Sequence, residues 1–221
     1  MPRQADSNGS LIAHYRNLLN LSQIELAIRA SLSERVVRKA EAGESLRWST
    51  LEALAEALSS KSLQLTAADL TCDPLAVAQA LKRSYTLYGI EIVRRCVHIL
   101  SPSIVFAMHT DVDNIAFAGE FHGLEGMEKA IREGTEQFQD RMVRSERWSV
   151  DGNRALALCH EAFRLKGVEN APSLETWLLH EYLVTDAKVV RIDTYIDSLA
   201  WVRYLDQTGM TREEVIDSTG S

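Results

Sequence analysis

Apolar residues recur at helical spacing through residues 10–59, and beyond Pro102 the pattern changes to strand-like alternation. Leu11, Ile12, Tyr15, Leu18 and Leu19 fall on one helical face. Ser22 stands three residues before Glu25, the spacing of a capping box, and Leu26, Ala27 and Ile28 carry a second helix to a break near Ala30-Ser31. Ser33 is placed to cap a third helix with Val37 and Ala40 inward, and Gly43 to end it. Ser49 opens a fourth along Leu51, Leu54, Ala55 and Leu58. Residues 60–75 read as a connection, with one helical turn at 67–70. Helices are then predicted over 75–88 and 90–100, strands over 104–109 and 115–121, and an amphipathic helix over 124–138. Four longer strands follow at 142–150, 155–165, 175–184 and 189–197. Turn residues divide them: Asp151-Gly152-Asn153, the stretch 167–173, and Thr185-Asp186-Ala187. A short helix at 198–205 carries Trp201 and Tyr204, and residues 207–221 hold few large apolar groups and read as a flexible tail.

This order divides the 221 residues into a helical domain (1–60), a linker (61–75), an α+β domain (76–206) and the tail (207–221). At 46% hydrophobic residues the chain can bury real cores. The formal charge of −7 is unevenly spread: residues 1–70 hold eight Lys/Arg and eight Asp/Glu, so the second part carries all of it. That asymmetry suggests two modules with different partners. No apolar run approaches the roughly 18–20 residues of a membrane span. The start is polar, without the apolar core of a signal peptide. Cys72, Cys96 and Cys159 are far apart and form no CxxC, so neither a disulfide framework nor a zinc site is indicated. The expectation is a soluble protein of a reducing cytoplasm, with no cofactor and no metal.

Two short helices joined by a tight turn let the second enter a DNA major groove while the first braces on the backbone. Here the second would present Ser33, Glu34, Arg35, Val36, Arg38 and Lys39. Arginine reaches guanine O6 and N7, glutamate accepts from cytosine N4, and valine touches a thymine methyl. Arg38 and Lys39 lie further along, where a phosphate is as accessible as a base.

The spaced residues Leu21-Ser22-Gln23, Glu25-Leu26-Ala27, Leu32-Ser33, Glu41-Ala42-Gly43, Thr50-Leu51 and Leu54-Ala55 resemble the Cro/phage-repressor type (XRE) helix-turn-helix family over about residues 10–60. The resemblance implies an all-α domain in which Gln23 anchors the first helix on a phosphate. It also implies that Ser33, Glu34, Arg35 and Arg38 meet the operator, while Glu41 is structural. Ser31 stands where such proteins often place glycine, and the module is neutral, so a dimer would be needed for useful affinity.

Helices followed by a bent antiparallel sheet make an α+β cone with a pocket inside. The order of elements over about 76–206 resembles the nuclear-transport-factor-2-like fold. The run from Trp177 through His180 and Tyr182 to Arg191, then Tyr195-Ile196-Asp197, resembles its SnoaL-like branch. Members of that fold include isomerases, cyclases and hydrolases, but also silent ligand-binding and dimerising modules, so fold alone does not choose. Proton transfer in such a cone needs a carboxylate or histidine in an apolar pocket. His109, His122, His160, His180, Asp193 and Asp197 are the residues of that type here. His180 alternates with Leu178, Tyr182 and Val184, and His160 with Leu156 and Leu158, so both read as pocket-lining rather than catalytic. Phe106, Phe117, Trp148, Trp177 and Tyr182 complete the predicted pocket, while Asp197 is placed to cap the last helix.

Joined in one chain, these modules imply a bacterial, cytoplasmic transcriptional regulator, nucleoid-associated when bound to DNA. It would bind a near-palindromic operator in double-stranded DNA as a homodimer and sense a small organic ligand in the cone. The alternatives are an acid/base enzyme of isomerase, cyclase or hydrolase type with an accessory DNA-binding domain, and a ligand-free dimerisation platform.

Overall fold

The chain's first helices turn where its punctuation says they should. The computed structural model describes residues 4–61, 63–110, 118–166 and 172–208. In it, α1 (Gly9–Leu18), α2 (Gln23–Arg29), α3 (Glu34–Glu41) and α4 (Trp48–Leu58) pack around Leu11, Ile12, Leu26, Val37, Leu51 and Leu54, all essentially inaccessible. Ser22 and Glu25 complete the capping box, each side chain accepting from the other's backbone N–H at 3.2 and 2.7 Å. Ser31 takes φ +56° in the α2–α3 turn, a left-handed conformation that costs a non-glycine residue about 1 kcal/mol. Gly43 ends α3 at φ +78°.

Several expectations need correcting. The N-terminal part is not purely helical, because β1 (Gln4–Asp6) pairs antiparallel with β2 (Ser45–Arg47). Ser33 flanks α3 without a side-chain capping bond, and α4 starts at Trp48, one residue before Ser49. Residues 61–75 are not a bare connection either. Leu65, Ala67 and Leu70 are buried in one apolar cluster that runs from Leu11 to Ile192. Asn8 N–H donates to the Leu70 carbonyl at 2.8 Å, and Ser7 bridges Thr71.

The second part consists of α5 (Pro74–Tyr88), α6 (Ile92–Arg95), β3 (Leu100–His109), β4 (Gly119–His122), α7 (Gly123–Gln137), β5 (Phe138–Asp151), β6 (Arg154–Leu165), β7 (Leu174–Thr185), β8 (Lys188–Ile196) and α8 (Ser198–Thr208). The six strands β3–β8 form one sheet in the order β4-β3-β8-β7-β6-β5. It is antiparallel except that β3 runs parallel to β8, a pairing the sequence pattern does not announce. The helix predicted over 90–100 stops at Arg95, because Leu100 joins β3 opposite Val189 and sheet pairing overrides the local helical period. The expected strand at 115–121 is seen only as Gly119–His122, its first residues lying outside the described set. Of the expected tail, 207 and 208 continue α8 and 209–221 lie outside the described residues.

Register shifts in β5–β6, β3–β8 and β7–β8 bend the long strands, as bulges do, and the sheet curls around α5 and α7 into a cone. Asp186 and Ala187, at φ +51° and +57°, make the two-residue hairpin between β7 and β8. Helix α8 folds back on β7, burying Trp201 and Tyr204 against Leu174. Among the described residues, no helix is long and apolar enough to cross a membrane.

Candidate functional site

Strand parity decides what enters the cone. On β6 the inner face carries Ala155, Ala157, Cys159 and Glu161, all inaccessible. On β7 it carries Leu174, Thr176, Leu178, His180 and Tyr182, and on β8 Ile192, Thr194 and Ile196. These strands, with Leu81, Lys82 and Tyr85 from α5 and Met127 and Ile131 from α7, enclose a cavity of about 230 Å³. Its lining is mostly apolar, and its charged groups come from Lys82, Arg141 and Glu161.

Glu161 is the hub. Its side chain is wholly inaccessible, and both oxygens are engaged. Arg141 donates through Nε at 2.7 Å and Nη2 at 2.8 Å, and Lys82 Nζ through a third bond at 3.1 Å. Burial alone would raise its pKa, but the Arg141 hydrogen bonds and charge, with Lys82, hold it down at about 2. Arg141 also lies over the Tyr85 ring, 4.7 Å from the centroid. His180 Nδ1 meets Thr194 Oγ1 at 2.9 Å, while Nε2 sits 4.0 Å from a Glu161 oxygen. Burial, helped by the Lys82 charge, drops the His180 pKa to about 3, so the ring is neutral at any ordinary pH.

Three buried polar atoms on the lining have no hydrogen-bond partner among the described residues: His180 Nε2, Thr176 Oγ1 and Trp201 Nε1. Each would cost about 1–3 kcal/mol if truly dry and unpaired, so they call for water or a ligand. Cys159 Sγ, a Glu161 oxygen and a His180 nitrogen lie within 4.8 Å of one another, which could suit a metal. The Lys82 ammonium, however, donates to both Cys159 Sγ (3.0 Å) and Glu161, so a cation of the protein itself already fills that position.

Of the predicted pocket residues, Phe106, His180 and Tyr182 line the cavity. Phe117 lies outside the described residues. Trp148 stacks on Tyr182 (5.9 Å) without lining the cavity. His160 does share a face with Leu156 and Leu158, but that face is the outer one: Leu158 is 39% exposed. Trp177, 43% exposed, stacks there on His160 at 4.8 Å. Alternation tells which residues share a face, not which face is inside. The remaining proton-transfer residues also lie elsewhere. His109 bonds Asp193 (2.8 Å) on the outer face, with Arg191 gripping the same carboxylate. His122 is exposed beside Glu120, and Asp197 accepts from Ala200 N–H at 3.1 Å at the start of α8. Lys82, Arg141, Glu161 and Thr176 carry no mark of their own in the sequence pattern, and Trp201 is legible there only as a residue of the last helix, not as part of the cavity. Glu161 was findable, because it keeps the parity of Ala157 and Cys159.

At the other end of the molecule, Ser33 and Arg35 are exposed on α3, and Glu34, Val36 and Lys39 are partly so. Arg38 pairs with Glu34 (3.1 Å) and Lys39 with Glu44 (2.7 Å). Gln23, expected at a phosphate, donates to Glu41 Oε2 at 2.6 Å in the chain without DNA, and Arg16 binds the same carboxylate. Arg35 has no polar partner among the described residues.

No protein-family model and no curated protein matches the sequence. Solved structures do. An NTF2-like protein from Burkholderia thailandensis E264 is 12% identical, with a TM-score of 0.51 over 60% of this chain and 97% of its own. An NTF2-like protein of unknown function from Burkholderia pseudomallei K96243 is 15% identical, at 0.50 over 58% and 95%. Another, from Burkholderia xenovorans LB400, is 19% identical, at 0.49 over 58% and 94%. None of these likenesses bears on the helix-turn-helix resemblance. What they show is the fold: the cone of strands and helices is NTF2-like.

Proposed function

We propose that the protein is a ligand-responsive DNA-binding regulator whose cone takes up a small, largely apolar molecule. The observation that carries the cone's part is the cavity itself: three orphaned polar atoms beside a locked ion cluster. Such a site is built to recognise rather than to turn over. A general base works best with a pKa near the working pH. Glu161, at about 2 and with both oxygens occupied, and His180, at about 3, are far from that. This favours binding over the isomerase, cyclase or hydrolase reading.

The DNA-reading part rests on the family resemblance of residues 10–60 and on the exposure of Ser33 and Arg35 along α3. The Arg38–Glu34 and Lys39–Glu44 pairs are surface pairs of small worth, and a phosphate would open them readily. A homodimer is supported by the exposed apolar residues of the outer sheet face, Leu158, Trp177 and Tyr195, and it would match a near-palindromic operator.

Selection of bound sequences from a random duplex pool with the full chain tests the reading. Recovery of a two-fold symmetric motif is the expected result. Arg35→Ala should then relax base preference and cost about 1–3 kcal/mol in affinity. Recovery of nothing above background, with and without small-molecule extracts, overturns the regulator.

A further inference from the structure

The cavity's polar groups are unbalanced in one direction. Lys82 and Arg141 bring two positive charges against the single negative charge of Glu161, and His180 is neutral. The other titratable groups facing this cluster do not restore the balance. Burial pushes the Cys159 thiol and the Tyr182 phenol up, which keeps both protonated. Tyr85 is a phenol under the Arg141 guanidinium. Glu146, opposite Cys159 in the β5–β6 register, adds its negative charge to the push on Cys159 and Tyr182, but it is exposed, accepts from Trp148 Nε1 at 3.1 Å and does not line the cavity. The lining therefore carries one more positive than negative charge; Arg141 is 31% exposed and partly solvated, so the enclosed cation is Lys82, 11% exposed.

Hydrogen-bond capacity leans the same way. Lys82 Nζ has three N–H groups, and its two acceptors, Cys159 Sγ and Glu161 Oε1, leave one unused among the described residues. Thr194 is almost wholly buried, and His180 Nδ1 is its hydroxyl's one side-chain partner among the described residues. Satisfying that hydroxyl proton means donating it to Nδ1, which puts the ring proton on Nε2. Nε2–H is then a donor without an acceptor, as is Trp201 Nε1–H on the same lining. The hydroxyl of Thr176, the third orphan, can serve either way. Both Glu161 oxygens are already used, so the lining offers donors and little to accept.

We infer that the cavity binds an apolar organic monoanion, a carboxylate on an aromatic or alicyclic body, with its acid group against Lys82 Nζ and His180 Nε2. The apolar body lies against Phe106, Met127, Ile131 and Leu178, which line the rest of the space. This rests on the ligand-binding reading of the cone and adds the ligand's charge and headgroup. The carboxylate supplies the missing negative charge and accepts two of the idle donors at once. An amide of the same shape supplies one acceptor oxygen and no charge, and an ammonium would meet Lys82 and Arg141 with like charge.

Isothermal titration of the full chain with three matched sets decides it: benzoate, cinnamate and 1-naphthoate, their carboxamides, and the corresponding arylmethylamines. At least one acid should bind about tenfold or more tightly than its amide, as for hydrogen bonds to charged groups, with the amine weakest. Lys82→Met should erase the preference for acid over amide while leaving amide binding in place, and Lys82→Arg should retain it. Glu161 keeps its two-pronged Arg141 partner in Lys82→Met, so the cluster is not left with a bare carboxylate. Amides or amines binding as well as the acids overturns this inference while the ligand-binding reading stands. Failure of all three sets to bind overturns that reading and this inference with it. The acid-to-amide ratio on the unaltered chain is decisive even if a variant fails to fold.

Discussion

Acid should destabilise this protein well before its carboxylates protonate, and two histidines set the slope. His98 lies where α1 meets the cone, stacked on His14 with ring centroids 3.7 Å apart. Burial, then the charge of His14, depresses its pKa to about 3. His180 is held at about 3 inside the cavity. A histidine whose folded pKa is depressed takes up its proton in the unfolded chain first, at about 6.5. Its contribution is therefore complete above pH 6.5 and is lost as pH falls from there toward 3. One pKa unit is worth about 1.4 kcal/mol, so between pH 6.5 and 5 each histidine costs about 2 kcal/mol and the two together about 4. Against a typical total of about 5–15 kcal/mol, that is a large fraction.

The carboxylates do not confuse the measurement. Glu161 and Glu25, depressed from 4.5, and Asp193, depressed from 3.8, give up their contributions only below those values. His14 shifts in the same direction as His98 and adds to the slope. Urea unfolding of the full chain at pH 7.5, 6.5, 5.5 and 5.0, at fixed protein concentration, reads the effect directly. The midpoint should be flat above 6.5 and fall steeply below it, and His98→Gln and His180→Gln should each remove about 2 kcal/mol of the fall by pH 5. Folded variants that keep the full wild-type slope would refute the burial argument for both rings.

Other expectations concern single contacts. A Cβ on Gly9 would stand 2.2 Å from the Glu41 carbonyl oxygen and 2.6 Å from its carbon, backbone atoms that cannot rotate aside. Gly9→Ala should force α1 away from the end of α3 at about 1–3 kcal/mol, seen as a lower urea midpoint; a wild-type midpoint contradicts the close approach. Asp197→Ala removes the carboxylate that accepts from Ala200 N–H and should cost about 1 kcal/mol, with equal stability as the failing result. Trp177→Glu on the outer sheet face should shift sedimentation toward monomer without changing affinity for a cavity probe. A loss of probe binding would place Trp177 nearer the cavity than its 43% exposure allows.

How much of this could be read from the chain depends on which kind of information each feature uses. Helices α1–α4 carry their own start and stop signals, and Ser22 with Glu25 makes the capping box within four residues. The long strands announce themselves by alternation and by turns such as Asp186-Ala187. Long-range pairing leaves no such local mark. The parallel register of β3 on β8 and the β1–β2 ribbon join segments more than 35 residues apart. They also reassign residues, since Leu100 reads as helical and is a strand residue. The candidate site shows the same division. His180 and Tyr182 are legible because Leu178 and Val184 flank them on the same face. Over residues 155–161 the inner face of β6 is alanine, cysteine and a glutamate, with Phe163 the first large apolar residue on it, while Leu156, Leu158 and His160 point out. Hydrophobicity alone chooses the wrong side there, because small residues inside make room for the cavity and for the ion cluster at Glu161.

The same contacts tie the cavity wall to the end of α3. Lys82 and Arg83 are neighbours on α5: the first reaches into the cavity, and the second binds the buried Asp69 at 2.6 Å. Asp69 in turn accepts from the Thr66 backbone and hydroxyl, both at 2.8 Å, and so shapes the turn whose Leu70 carbonyl receives Asn8 N–H. The Asn8 side chain caps α1 through Leu11 N–H at 3.1 Å. Ser7 Oγ lies within hydrogen-bond distance of the Ala40 and Glu44 carbonyls, at 2.9 and 2.8 Å, where α3 ends. Contact alone transmits nothing, because a ligand shifts an equilibrium only by its differential affinity for the two arrangements. What this chain of contacts supplies is a short connection, anchored on the buried Asp69, between the group proposed to meet the ligand and the helix proposed to meet DNA. If the two sites are coupled, the effect must be reciprocal, with duplex changing ligand affinity by the factor by which ligand changes duplex affinity. Arg83 and Asp69 form the one ion pair among the described residues that joins α5 to the 66–71 turn, so Arg83→Met, measured for that reciprocal factor, reads whether this pair carries any of it.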